Sequence, residues 1–109
     1  MKDVEQFLPL APATLHILLA LAGEDLHGYA IMQEVARQSE GRYKLGPGTL
    51  YDNLQRLLHQ GFVKESGGDS RRRYYRLTAL GRGVLTAEVS RLETVIRDAK
   101  VHLQPRRTS

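Results

Sequence analysis

Arg71, Arg72 and Arg73 stand directly before Tyr74 and Tyr75, and Arg76 closes the run. A guanidinium is a permanently charged fork of five donors and a phenol adds a neutral hydroxyl, so this stretch is suited to holding oxyanions, phosphate above all. A second set of residues carries a different chemistry. Gly48, Thr49, Asn53 and Arg56 fall on one side of a helical wheel, where small or hydrogen-bonding side chains let a helix approach a base edge and read its donors and acceptors. The pattern offers no catalytic constellation. His16, His27, His59 and His102 lack metal-ligand spacing, there is no cysteine, and the acids do not cluster with an activating partner. The reading is a binding protein rather than an enzyme, with no cofactor and no metal.

The distribution of charge points the same way. The chain has 109 residues and a formal net charge of +4. Residues 42 to 76 hold eight Lys/Arg against three acids, while residues 1 to 41 hold two basic residues against six acidic ones. A segregated positive surface is the footprint of a polyanion binder, although a solvated basic face has the same composition. The length predicts one domain, and 41% hydrophobic residues suffice for a compact core with little to spare. The lack of cysteine fits a reducing interior. No apolar run approaches the ~18 residues of a membrane span, and the start of the chain lacks the basic segment of a signal peptide, so the expectation is a soluble, cytoplasmic protein.

The elements that must position these residues can be read from periodicity and punctuation. Pro47 suits a first helical position and Gly61 a left-handed stop; between them Leu50, Leu54, Leu57 and Leu58 make one apolar stripe, which places Gly48, Thr49, Asn53 and Arg56 on the outer face. A core helix with a polar outside has the same pattern, so the flanks must decide. Upstream, residues 1 to 9 read as a loosely held arm. A helix from Ala13 to Ala22 follows, apolar nearly all round, which predicts that Ile17 and Leu21 meet something beyond the chain's own domain. A second helix runs from about His27 to Ser39, with Asp25 as N-cap; its start could set an amide and the Tyr29 phenol against phosphate, or Gly28 could simply permit close packing. Downstream, Phe62–Ser66 and Arg71–Leu77 alternate with period two around a turn at residues 67–70, predicting a β-hairpin with Tyr75 and Leu77 inward. Its basic tip can act as an electrostatic finger for a nucleic-acid backbone, or as charge that protects an edge strand.

From Thr78, a natural N-cap, to Gln104 the chain reads as one helix. Leu85, Val89, Leu92, Ile96, Ala99 and Leu103 recur at spacings of four and three, a heptad seam. At ~1.5 Å per residue such a helix is roughly 40 Å long, too long for one small domain. The seam therefore predicts a homodimer, paired through these six residues together with Ile17 and Leu21. The expected organisation is a DNA-binding unit at residues 1–77, a dimerisation helix at 78–104 and a disordered tail at 105–109. The fold class is mainly α with a two-stranded β wing: a winged helix-turn-helix plus a long C-terminal dimerisation helix.

Several motifs in this order resemble the PadR family of transcriptional regulators, in its short form with one C-terminal helix. They are His27, Gly28 and Tyr29; Gly46 to Tyr51 with Leu54, Arg56 and Leu57; Gly61, Phe62 and Val63; Arg73, Tyr74 and Tyr75; Leu77 and Thr78; and Gly81. The resemblance spans roughly residues 8 to 90. It implies a homodimeric repressor of double-stranded DNA, often relieved by a small-molecule effector. In that setting Gly48, Thr49, Asn53 and Arg56 are expected to read bases, and Tyr29, Lys44, Tyr51, Arg71, Arg72, Arg73 and Arg76 to hold phosphates. The alternative is a winged-helix module that docks its basic wing on an acidic protein.

Overall fold

The computed structural model describes residues 3–69 and 71–105. Residues 106–109 of the tail expected at 105–109, and Ser70 of the expected turn, lie outside the described residues. After a 3-10 turn at Val4–Phe7 come α1 (Pro12–Leu21), β1 (Leu26–His27), α2 (Gly28–Gln38), α3 (Pro47–Gln60), β2 (Val63–Gly68), β3 (Arg73–Leu77) and α4 (Ala79–Leu103). The three strands form one antiparallel sheet in the order β1-β3-β2. A two-stranded wing was expected; β1 adds a third strand, pairing Leu26 with Tyr75 and His27 with Tyr74. Two residues are too short to show a period, which is why this strand is invisible in the sequence.

Helix α3 forms as its punctuation dictates. Gly46 caps α3 in an extended conformation, Pro47 opens it, and Gly61 ends it at φ 79°. In that left-handed position Gly61 lets its own amide and that of Phe62 close on the carbonyls of Leu58 and Leu57, at 3.1 and 3.0 Å. Leu50, Leu54 and Leu57 are buried, joining Leu18, Ile31, Val35, Phe62, Tyr75 and Val84 in a single core. That core crosses the boundary expected at Thr78, since Val84 and Leu85 of α4 belong to it. Thr78 caps α4 as expected: its hydroxyl accepts from Gly81 N–H at 3.0 Å and donates to the Gly61 carbonyl at 2.6 Å, tying the end of α3 to the start of α4.

Three expectations are corrected by packing. Ile17 and Leu21 do not face a partner: both are buried in the chain's own core, because α1 is packed on several sides at once, by α2, α3, α4 and β3. The described part of the arm, residues 3–9, is not loose. Phe7 meets the Phe62 ring edge-on at 5.0 Å, and the Leu10 amide donates to Glu88 of α4 at 2.9 Å. Asp25 does not cap α2; His27 does, its Nδ1 accepting from Ala30 N–H at 3.2 Å, and Asp25 instead binds Arg76 at 2.8 Å.

Beyond about Val89, α4 leaves the body of the molecule. The principal extents are 68 × 37 × 21 Å and the radius of gyration is 16.4 Å, against about 13 Å for a compact chain of this size.

Candidate nucleic-acid interface

The outer face of α3 presents Gly48, Thr49 and Arg56 to solvent. With no Cβ at Gly48 and nothing above it, the first turn can approach another surface closely. Asn53 does not share this exposure. It is buried to 7% accessibility, because the first turn of α1 lies over it: Thr14 Oγ1 donates to Asn53 Oδ1 at 3.0 Å, and Asn53 Nδ2 donates to the Thr49 carbonyl at 2.8 Å. At ~100° per residue Asn53 stands only ~40° from Leu57, on the flank of the apolar stripe instead of the outer face expected for it, and the element that covers it lies 39 positions away in sequence. Asn53 is thus a brace inside the protein rather than a base reader.

In the wing one carboxylate links the end of β2 to the start of β3. Asp69 accepts from the amides of Arg71 and Arg72 at 2.8 and 2.9 Å, and these two backbone donors hold its carboxyl below the ordinary carboxylate range. Strand pairing continues through Gly67 and Gly68, past the point where the turn was expected, with a register shift between Glu65 and Gly67. Gly68 is required there: its φ is +125°, and a Cβ would run into the Arg72 carbonyl. The tip arginines are solvent-facing, and Arg73 has only a 3.7 Å ion pair with Glu65.

Between the wing, α2 and α3 lies a cleft of about 430 Å³. Its walls are Tyr29, Tyr51, Arg71, Arg72 and Arg73, and its floor is His27, Gly28 and Tyr75. Five of the seven residues expected to hold phosphate are therefore brought to one concavity by three separate elements. Gly28 makes the junction possible, since the Tyr51 phenol rests where its Cβ would be, with the ring Cζ 3.0 Å away. Tyr29 is 63% exposed, so its hydroxyl faces outward. Burial pushes the Tyr75 phenol up, with the charge of Glu65 adding to the effect, so it stays neutral. Of the remaining two, Lys44 is exposed just before α3. Arg76 stands apart from the cleft: Nε and Nη2 both bond Asp25, which sets it to fastening β3 to the turn before β1 instead of leaving it free for an anion.

Residues 17–87 match the model of the transcriptional regulator PadR-like family. The chain belongs to this family. It is 38% identical over 91 residues to the transcriptional regulator Rv3488 of Mycobacterium tuberculosis, an alignment covering 81% of this chain and 82% of that protein. A transcriptional regulator from Clostridium thermocellum superposes with a TM-score of 0.73 at 26% identity, over 84% of this chain and 90% of that one. A PadR family transcription regulator from Clostridium difficile has the same fold, with a TM-score of 0.70 at 24% identity over 85% and 99% of the two chains.

In this PadR-like chain the residues expected to pair two copies divide at Val89. Leu85 is buried at home, whereas Val89, Ile96 and Leu103 are exposed, and Leu92 and Ala99 half-buried, along the projecting part of α4. Val95 and Val101 add exposed apolar surface that the heptad reading did not include. Two polar groups have roles that the sequence reading did not assign to them. His27 forms both the α2 cap and part of the cleft floor. Glu88, 1% accessible, bonds Arg91 of the same helix at 2.6 Å and ties α4 to the arm through the Leu10 amide; Arg91 first, then the Leu10 amide, keep its carboxyl below the ordinary range. No helix among the described residues is long and apolar enough to cross a membrane.

Proposed function

We propose that this PadR-like regulator binds a pseudo-palindromic site in double-stranded DNA as a homodimer and represses transcription by occupying it. The observation that carries the proposal is the convergence of Tyr29, Tyr51, Arg71, Arg72 and Arg73 on one cleft flanking the exposed first turn of α3. Phosphates of one strand held there would bring Gly48 and Thr49 into the adjacent major groove, with Arg56 a turn or two further along the helix. The exposed stripe Val89, Leu92, Ile96, Ala99 and Leu103 would pair two copies and set their α3 helices about one DNA turn, ~34 Å, apart. Supporting this reading are membership of a family of transcriptional regulators and the clustering of positive charge in residues 42–76.

The test is selection of bound duplexes from a random pool, followed by titration of the selected and a scrambled duplex at several salt concentrations. The proposal expects a two-fold related consensus and a steep loss of affinity with salt. A protein-docking wing would bind duplex only as a generic polyanion, and equal affinity for selected and scrambled DNA would decide for that alternative.

A further inference from the structure

Arg56, the long donor on the outer face of α3, is not a free side chain. Its Nη1 lies 3.4 Å from Asn53 Oδ1, one turn back on the same helix. That oxygen is itself held, by the Thr14 hydroxyl of α1 at 3.0 Å, and the orientation of the amide is settled by its other end, where Nδ2 donates to the Thr49 carbonyl at 2.8 Å. Both Thr14 and Asn53 are buried, so this polar pair exchanges little with water. Resting on the reading of α3 as the base-reading helix, we propose that Thr14 and Asn53 are positioning residues for DNA recognition, a relay from α1 that holds the Arg56 guanidinium in the attitude from which it reads a base.

The chemistry follows from the donor count. A guanidinium has five N–H donors and spends one on Asn53, which leaves Nη2 and Nε free for the parallel pair of bonds that guanine O6 and N7 accept. An arginine on a flexible stem loses conformational freedom when it docks, and one already tethered at Nη1 loses less. Discrimination between bases depends on the angle of the fork, so the tether acts on specificity rather than on the charge that attracts phosphate. An Asn53 without Thr14 would keep its bond to Thr49 but would have only Arg56 to fix its oxygen, and the fork would gain freedom.

The experiment uses the full-length chain and a duplex selected from a random pool. Dissociation constants are measured for that duplex, for single-base variants across it and for a scrambled control, with the wild type, Thr14→Val, Thr14→Ser, Arg56→Ala and the Thr14→Val/Arg56→Ala double variant. Thr14→Val keeps shape but removes the hydroxyl. It should lose roughly three- to tenfold in discrimination, as for one hydrogen bond of ordinary strength, at the same base positions where Arg56→Ala loses it. Affinity for the scrambled duplex and the salt slope should stay at wild-type values. Thr14→Ser should restore discrimination, and Thr14→Val should add nothing to Arg56→Ala. Full discrimination in Thr14→Val beside a loss in Arg56→Ala overturns the relay while leaving the α3 reading intact. So does a uniform loss on all duplexes, or additivity in the double variant. If Arg56→Ala itself discriminates normally, the reading of α3 fails and the relay with it.

Discussion

Glu88 shows how a single side chain can do work that its neighbours in sequence conceal. Its carboxylate is buried, bonded to Arg91 through Nε and Nη2 and to the amide of Leu10, and so replaces water with three directional donors, two of them on a charged guanidinium. Because these partners lower its pKa below the ordinary 4.5, the group stabilises the fold fully above that value and loses the contribution as pH falls towards the depressed folded value. The Glu88→Gln variant should therefore be about 1–3 kcal/mol less stable near neutral pH. It should also lose stability less steeply than the wild type below about pH 4.5, in denaturant titrations run at high salt to screen the exposed Asp25 and Glu34 pairs. Parallel pH profiles for the two proteins would show that the buried pair carries no linkage. At the wing, Arg73 is exposed and its 3.7 Å pair with Glu65 is weak, so its charge is available to a phosphate. Arg73→Ala is expected to weaken selected and scrambled duplexes by the same factor and to flatten the salt slope by about one unit per copy. A loss confined to the selected duplex would move Arg73 into base reading.

At the scale of elements, two glycines distinguish packing that can yield from packing that cannot. A Cβ on Gly81 would strike the Phe62 carbonyl, part of the backbone where α3 passes into β2. Neither side can retreat without breaking the Thr78 cap, so Gly81→Ala should cost about 1–3 kcal/mol and lower Tm. A Cβ on Gly28 would press only on the end of the Tyr51 side chain, which is half-exposed and can swing outward. Gly28→Ala should keep a near wild-type Tm and lose affinity for every duplex, since the cleft wall moves; a large fall in Tm would mean that Tyr51 is locked. The same contrast explains what could be read in advance. Helix α3 was legible to the residue because proline, glycine and a leucine stripe agree on its ends and its face, and the Tyr75/Leu77 parity placed the wing against the core. Periodicity says which face of an element is covered, but not by what. Ile17 and Leu21 carried the signature of a face covered on several sides, and their cover proved to be intramolecular. Asn53 was assigned to the outer face, and Glu88 was given no role, because the segments that bury them, the first turn of α1 and the arm before it, are distant in sequence.

For the molecule as a whole, the decisive quantity is the apolar surface left on α4 after the chain has folded. Val89, Leu92, Ile96 and Leu103 remain wholly or partly uncovered, with Ile96 51% and Leu103 80% exposed. Full burial of a side chain of this kind stabilises by about 1.5–3 kcal/mol. Four from each of two copies, even discounted for the surface already covered, are of the size needed to offset an association cost of about 4–15 kcal/mol. Ile96 is the informative position, because it lies beyond the globular body and a charge there disturbs no intramolecular core. Ile96→Glu is expected to sediment as a monomer at concentrations where the wild type is a dimer, with an unchanged helical circular dichroism signal over the winged-helix part. Its DNA binding should change in a particular way. The four exposed cations Lys44, Arg71, Arg72 and Arg73 doubled in a dimer give a slope of log affinity against log salt of roughly −7, and a lone copy should retain about half of that. It should also bind a half-site as well as it binds the full palindrome. A variant that stays dimeric, or a monomer that keeps the full slope, would show that two copies do not meet through this stripe, and the spacing of the α3 helices would have to come from another face.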